Sequence, residues 1–363
     1  MKKDKRKNNK IIIIIGILII IASAIVGMLI YKNHKDKKVM STPEQENIVD
    51  EVVNEKVDVV DINSKTRPYA VAINNTAVAV KVQEGLNNAY LIYEIPTEGN
   101  TSRLLALFKD IKEDLIIGTI RSARHNFIDF ALESDAIFCC YGWSHYAEDD
   151  IKSGSIDYLQ GLFGEPYYRN NPEHLALEHT AYTNISKLNK AVDKKKFRTT
   201  SDDTILLNYN VSDVDLSLAD NNEIANVITV PYGSAPQIAS FKYDPESKMY
   251  TRYENGNKCV DYNTKETITT KNIIVEKINY NMCDDNYYWN LHTVGSGDGY
   301  YITNGYAVPI TWSKTNRSSK TKYTYKTGTV INGKDISGQE ISVSDGRTWI
   351  EVQTTSQKLT IEE

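Results

Sequence analysis

Twenty consecutive apolar or small residues, Ile11 to Ile30 (IIIIIGILIIIASAIVGMLI), constrain this chain more than any other feature. As a helix rising about 1.5 Å per residue, such a run is long enough to cross the hydrocarbon core of a bilayer. Lys2, Lys3, Lys5, Arg6, Lys7 and Lys10 precede it, and Lys32, Lys35, Lys37 and Lys38 follow. The heavier basic flank is N-terminal. That predicts residues 1–10 as a cytoplasmic tail, 11–30 as a single transmembrane anchor in the cell membrane, and an extracytoplasmic body. Ala22-Ser23-Ala24 resembles a signal-peptide cleavage site. The apolar run is longer than an ordinary signal core and continues past that site, which favours an uncleaved anchor. No cysteine lies near the run, so a lipidated cysteine there is excluded.

Charge follows the same division. Residues 1–38 hold ten Lys/Arg and two Asp/Glu, which leaves 32 basic and 45 acidic residues in the other 325. A body that acidic is a poor partner for phosphate backbones, so non-specific nucleic-acid binding is excluded, and a local basic pocket on it would stand out. Residues 31–66 are polar and charged, contain Pro43, and read as a linker between membrane and body.

Beyond the linker the pattern predicts an α/β domain over 67–200, a mixed sheet with helices. Short apolar runs at Tyr69–Ile73, Ala89–Ile95, Leu104–Phe108, Leu115–Ile120 and Ala136–Tyr141 read as strands, with Pro96 stopping the second. Ala123, Phe127, Phe130 and Ala131 share one helical face, predicting a helix from Ser122 to Glu133 with Ser122 as N-cap. Ser144 is expected to cap a second helix that ends before Gly154, and a third is expected from about Asn184. Residues 201–363 change character. Strand-like runs at 204–210, 226–232, 237–243, 248–253, 272–280, 287–294, 299–303 and 306–312 predict a β-rich domain. Turn signals at Asn255-Gly256, Asp298-Gly299 and Asn304-Gly305 separate them.

Three constellations could carry chemistry. The first is Gly118-Thr119-Ile120-Arg121-Ser122-Ala123-Arg124-His125, where a strand runs into a helix. The opening turn of a helix carries partial positive charge, so Arg121 and Arg124 there need a negative partner. Such a junction is also where α/β proteins bind anions, and guanidinium groups fit phosphate or carboxylate. Internal partners for the two arginines would be Glu94, Glu98 or Asp135. The second constellation, Tyr93 to Arg103, places Glu94, Glu98 and Arg103 around a Pro/Gly loop, where two carboxylates could divide acid and base roles. The third, Glu178-His179-Thr180-Ala181-Tyr182-Thr183, offers His179 as a proton shuttle, with weaker claims for His125, His145 and His174.

Other signals are negative. Cys139 and Cys140 read as small buried hydrophobes, whereas Cys259 and Cys283 could bridge in an oxidising compartment. No CxxC or Cys/His spacing supports zinc, so no metal is expected, and nothing implies a cofactor. Gly295-Ser296-Gly297-Asp298-Gly299 lacks the Lys-Ser/Thr of a phosphate-binding loop and reads as a hairpin turn. Oligomeric state is not legible.

Taken together, several segments carry a resemblance: Arg67-Pro68-Tyr69-Ala70-Val71, Tyr93-Glu94 through Glu98-Gly99 to Arg103, and Gly118 through Arg124. Ser153-Gly154 through Asp157 and His179 with Tyr182-Thr183 continue it. Asn272-Ile273-Ile274-Val275, Val294 to Gly297 and Gly346-Arg347-Thr348-Trp349 carry it into the second half. Over about residues 65–355 the chain resembles the YerB-like lipoproteins, domain-of-unknown-function family 3048. The resemblance implies a two-domain bacterial envelope protein and no particular activity. Here an apolar helix takes the place of the lipidated cysteine.

The expected function is binding of an anionic envelope polymer or peptide through Arg103, Arg121 and Arg124, with Tyr182 beside them. A hydrolase or transferase using Glu94, Glu98 and His179 as acid–base groups is the alternative, with the arginines stabilising an oxyanion. A third reading is an adaptor whose charges form an internal network.

Overall fold

The computed structural model describes residues 56–164, 166–233 and 237–363. The expected cytoplasmic tail, the expected anchor at 11–30 and the expected linker up to residue 55 lie outside the described residues. Among those described, no helix is long and apolar enough to cross a membrane.

The first half contributes the strands Tyr69–Asn74 (β1), Leu91–Thr97 (β2), Thr101–Phe108 (β3), Ile116–Gly118 (β4), Ile137–Cys140 (β5) and Tyr158–Gln160 (β6). From the second half come Asn272–Ile278 (β7), Gly295–Thr303 (β8), Tyr306–Lys314 (β9) and Thr348–Thr354 (β10). All of these except β4 belong to one eleven-stranded sheet, ordered β9-β8-β7-β10-β2-β3-β1-β5-β6 with two short strands, Glu223–Ile224 and Lys322–Tyr325, pairing β9. The sheet is mixed. β7, β10 and β2 run parallel, as do β1, β5 and β6, while β2–β3, β3–β1, β7–β8 and β8–β9 are antiparallel. The α/β first half and the β-rich second half are therefore joined through β10, which lies between β7 and β2.

Both faces of this sheet are covered, which is why its strands read as continuous apolar runs instead of alternating ones. Ala70 and Ala72 of β1, with Leu91, Tyr93 and Ile95 of β2, point to one face. Helices His125–Leu132 (α1) and His145–Lys152 (α2) pack there through Phe127, Phe130, Ala147 and Ile151. Val71, Ile73, Ile92 and Trp349 point to the other face. They meet Ile185, Leu188 and Val192 of helix Ile185–Lys195 (α3), and Ile228, Val230, Phe241 and Tyr250 of a second sheet. That sheet is built mainly from the antiparallel strands Val227–Tyr232, Gln237–Asp244 and Met249–Glu254.

Local signals explain most boundaries. Ser144 Oγ accepts the Ala147 N–H at 3.3 Å, and Asn184 Oδ1 accepts that of Lys187 at 2.8 Å, so α2 and α3 start where side-chain caps dictate. Asn255-Gly256 and Asn304-Gly305 have positive φ at both positions, the geometry of tight hairpin turns.

Four expectations need correction. β2 does not stop at Pro96 but continues to Thr97. Its partner β10 pairs only with Leu91–Glu94, so no ladder bond is asked of the proline nitrogen. Helix α1 starts at His125, with Arg124 in the extended cap position and no side-chain cap, because the Ser122 hydroxyl donates to Tyr141 O at 3.1 Å. Gly295–Gly299 is no turn but the first half of β8. A Cβ on Gly297 would lie 2.5 Å from Trp312 Nε1 and 2.6 Å from Lys277 O, so the glycine is demanded by close approach. Finally, Cys259 and Cys283 are unbridged. Cys259 is buried beside Arg252, whereas Cys283 lies 4.0 Å from His125 Nε2.

Candidate functional site

The segment 119–123 lies extended across the carboxyl ends of the parallel strands β1 and β5. Thr119 O accepts from Asn74 N at 2.7 Å, and Arg121 N donates to Ala72 O at 2.8 Å. On the other side Tyr141 N donates to Arg121 O, and Ala123 N to Gly142 O, at 3.0 and 2.9 Å. Backbone bonds on both edges fix the positions from which Arg121 and Arg124 project. The carboxyl ends of parallel strands are the usual ligand-binding edge of α/β sheets.

Arg103, at the start of β3, and Arg124 share one carboxylate, that of Glu98 in the β2–β3 turn. Arg124 Nε donates to Glu98 Oε2 at 2.8 Å and a second nitrogen of the same guanidinium donates to Oε1; Arg103 reaches Oε1 at 3.4 Å. Burial favours protonation of Glu98, but the hydrogen bonds and charge of Arg124, with that of Arg103, win and hold its carboxyl below the ordinary range. Arg103 is 8% exposed and donates to Ser122 O at 2.7 Å. Burial and the Arg124 charge depress its pKa to about 9. Arg124 also stacks over Tyr288, 5.1 Å from the ring centre.

Arg121 pairs elsewhere, donating to Glu178 Oε2 at 2.9 Å. Its Nε is buried and has no hydrogen-bond partner among the described residues. Next to Glu178, His179 is 8% exposed, with Nδ1 2.9 Å from Asn74 Nδ2 and Nε2 3.3 Å from Glu178 Oε1. An amide nitrogen can only donate, so Nδ1 accepts and Nε2 carries the proton that faces Glu178. Burial, helped by the Arg121 charge, holds the imidazole below its ordinary pKa despite Glu178. Arg169, not singled out in the sequence, lies 4.2 Å above the Tyr141 ring and donates to Thr180 Oγ1 at 3.2 Å.

The remaining expected site residues are placed apart. Glu94 is fully buried on the face toward the second sheet. Its Oε1 accepts from Ser102 Oγ at 2.6 Å and Asn75 Nδ2 at 3.0 Å, and Oε2 from Arg252 at 2.8 Å. In the parallel ladder Glu94 sits beside Glu351, and Arg252 also bonds Glu254 at 2.6 Å. Burial, with the Glu94 charge, pushes Glu254 up to about 8 and Glu351 well above the carboxylate range. Glu94 is thus closed off from an exterior substrate, and the acid–base pairing with Glu98 does not form. Tyr182 is also structural: its hydroxyl donates to Val82 O at 2.8 Å and its ring packs on Gly118. Asp135, offered above as a partner for the arginines, pairs with Arg67 and Arg198 instead. Among the described residues, no group of His, Cys, Asp or Glu is arranged to hold a metal ion.

Fold and site together define an α/β half and a β-rich half built on a common sheet, with a guanidinium cluster at the strand ends. Sequence models of the family described as "Protein of unknown function (DUF3048)" match the chain in two parts. The N-terminal domain matches residues 57–198 and the C-terminal domain residues 228–350. The chain belongs to this DUF3048 family. It is 27% identical over 293 residues to the Bacillus subtilis (strain 168) protein named "Putative lipoprotein YerB", an alignment spanning 80% of this chain and 82% of the relative. The crystal structure of YerB from Bacillus subtilis superposes with a TM-score of 0.68 at 23% identity, covering 84% of this chain and 99% of that one. That likeness extends the fold over nearly all the described residues.

Proposed function

We propose that the chain is a membrane-tethered extracytoplasmic binding protein whose Arg103–Arg121–Arg124 cluster holds an anionic group of an envelope polymer or peptide. One observation carries the reading. Three guanidinium groups share two carboxylates, Glu98 and Glu178, and the buried Nε of Arg121 has no partner among the described residues. A bound phosphate or carboxylate would balance the charge and accept the free N–H. The apolar run at 11–30 and the lipoprotein name of the relative support attachment to the outer face of a membrane.

Calorimetric titration of the full chain in detergent micelles with inorganic phosphate, poly(glycerol phosphate) and polygalacturonate tests the reading. At least one polyanion should bind saturably, and Arg121→Ala should weaken it about tenfold, the scale of one charge-assisted hydrogen bond. Binding that is unchanged in Arg121→Ala refutes the assigned site. The acid–base alternative lacks comparable support, since Glu94 is sealed inside and Glu98 is held ionised by two arginines.

A further inference from the structure

A cavity of about 510 Å³ opens on another part of the molecule, away from the arginines. Loops Glu84–Asn88 and Asp110–Ile116 of the first half form two walls, and the turn Asp261–Thr264 of the second half forms the third. The walls are tied together. Gly85 N donates to Asp261 Oδ2 at 2.7 Å, Tyr262 N to Gln83 O at 2.8 Å, and Glu84 exchanges backbone bonds with Gly118 at 2.6 and 3.2 Å. The cavity is therefore preformed and of the size that small-molecule sites occupy.

Its lining is acidic. Glu84, Asp110, Asp114 and Asp261 face one lysine, Lys112. Asp261 is engaged structurally, accepting backbone N–H groups from Gly85, Asn263 and Thr264. Glu84 is different. It is 4% exposed, and among the described residues its carboxylate has neither a hydrogen bond nor an ion pair. The nearby Lys265 acts on it only at a distance, with its ammonium over the Tyr262 ring at 4.2 Å. The Glu84 carboxylate borders the cavity without a side-chain partner among the described residues, so a cation from outside the chain can pair with it. Burial and the neighbouring Asp261 charge raise its pKa, as expected for such a group.

We propose that this cavity binds a primary alkylammonium group, with Glu84 as its counter-ion. Ile111 and Leu115 line the same space and offer an apolar surface for the alkyl stem. A bare metal ion fits less well, because among the described residues no three carboxylate, histidine or cysteine side chains gather closely enough to hold one. The ligand class is thus a chain amine: a polyamine, or the side chain of a diamino acid in a peptide.

The test is calorimetry on the full chain in detergent micelles, with putrescine as probe and magnesium chloride as control. Putrescine should bind saturably, weaken as salt is raised, and lose about tenfold or more in affinity in Glu84→Gln. If Glu84→Gln does not fold, the exposed rim variants Asp110→Asn and Asp114→Asn carry the test, each expected to weaken binding about two- to threefold. Absence of saturable putrescine binding to the wild-type chain overturns the proposal. So does displacement of putrescine by magnesium at equal concentration, or binding that none of these variants changes.

Discussion

Arg252→Met removes the cation that bridges Glu94 and Glu254 in a space sealed from water. Arg252 and Glu94 are fully buried and Glu254 is 2% exposed; the bonds measure 2.8 and 2.6 Å. Methionine keeps much of the volume against Trp349, whose ring centre lies 4.9 Å from the guanidinium carbon. The loss is therefore mainly of charge pairing. Removing one partner of a buried pair costs about 3–5 kcal/mol, and two charge-assisted bonds at about 1.5–3 kcal/mol each give the same scale. That is a large share of the roughly 5–15 kcal/mol by which domains are stable. Protonating the stranded carboxylates softens the loss, so it should be smaller at pH 5 than at pH 8. Urea unfolding followed by tryptophan fluorescence measures both values, and Glu94→Gln added to Arg252→Met should recover part of the difference. A loss below about 1 kcal/mol at pH 8, or one that is the same at both pH values, would show that the guanidinium does not neutralise this network.

Three other outcomes are expected. Glu254 and Glu276 both have folded pKa values raised by burial to about 8, above their ordinary 4.5. The stability they contribute is complete below about pH 4.5 and is lost as pH rises through 8, so the urea midpoint should fall over that window. Glu276→Gln should flatten the fall while keeping a partner for the Tyr323 hydroxyl, now 3.0 Å away; an unchanged slope counts against the assignment. Gly118→Ala puts a Cβ 2.3 Å from the Tyr182 ring and should cost about 1–3 kcal/mol in the same assay, whereas a neutral result would mean that the ring moves freely. In native protein a thiol reagent should modify Cys283 first, and slowly near neutral pH, since burial and the charges of Asp285 and Asp284 raise its pKa. Four thiols should react after unfolding, and fewer would reveal a disulfide.

The elements that were legible in the sequence are those whose signal is local. Ser144 and Asn184 cap helices with their own side chains, and Asn255-Gly256 and Asn304-Gly305 turn hairpins as their dipeptides dictate. What was hidden depends on distant neighbours. Strand β10 is not among the strand-like runs legible in the sequence, since Glu351 and Gln353 interrupt its apolar residues, yet all seven of its residues are buried at the junction of the two halves. Its polar residues are inside because Tyr232 and Lys277 come from elsewhere in the chain to meet them. In the sequence Glu178 stands out only as the neighbour of His179, although it supplies the carboxylate for Arg121. Nothing in the spacing of residues 121 and 178 marks them as partners.

Glu94 and Glu98 show how the face a residue takes in a strand matters for function. In the sequence Glu94, near the end of the strand Ala89–Ile95, and Glu98, beyond Pro96, flank one Pro/Gly loop and look like a catalytic pair. With β2 running through to Thr97, Glu94 alternates with Tyr93 and Ile95 and shares the face of Ile92, under the second sheet, while Glu98 is the first residue beyond the strand. Arg252 takes the first carboxylate, which leaves Glu98 alone to serve both Arg103 and Arg124. The arginines gathered where a helix begins therefore have negative partners, but one fewer carboxylate than guanidinium groups. That excess of positive charge at the sheet's ligand-binding edge follows from the face that Glu94 takes in β2, and under the proposed function it is the charge that an external anion would balance.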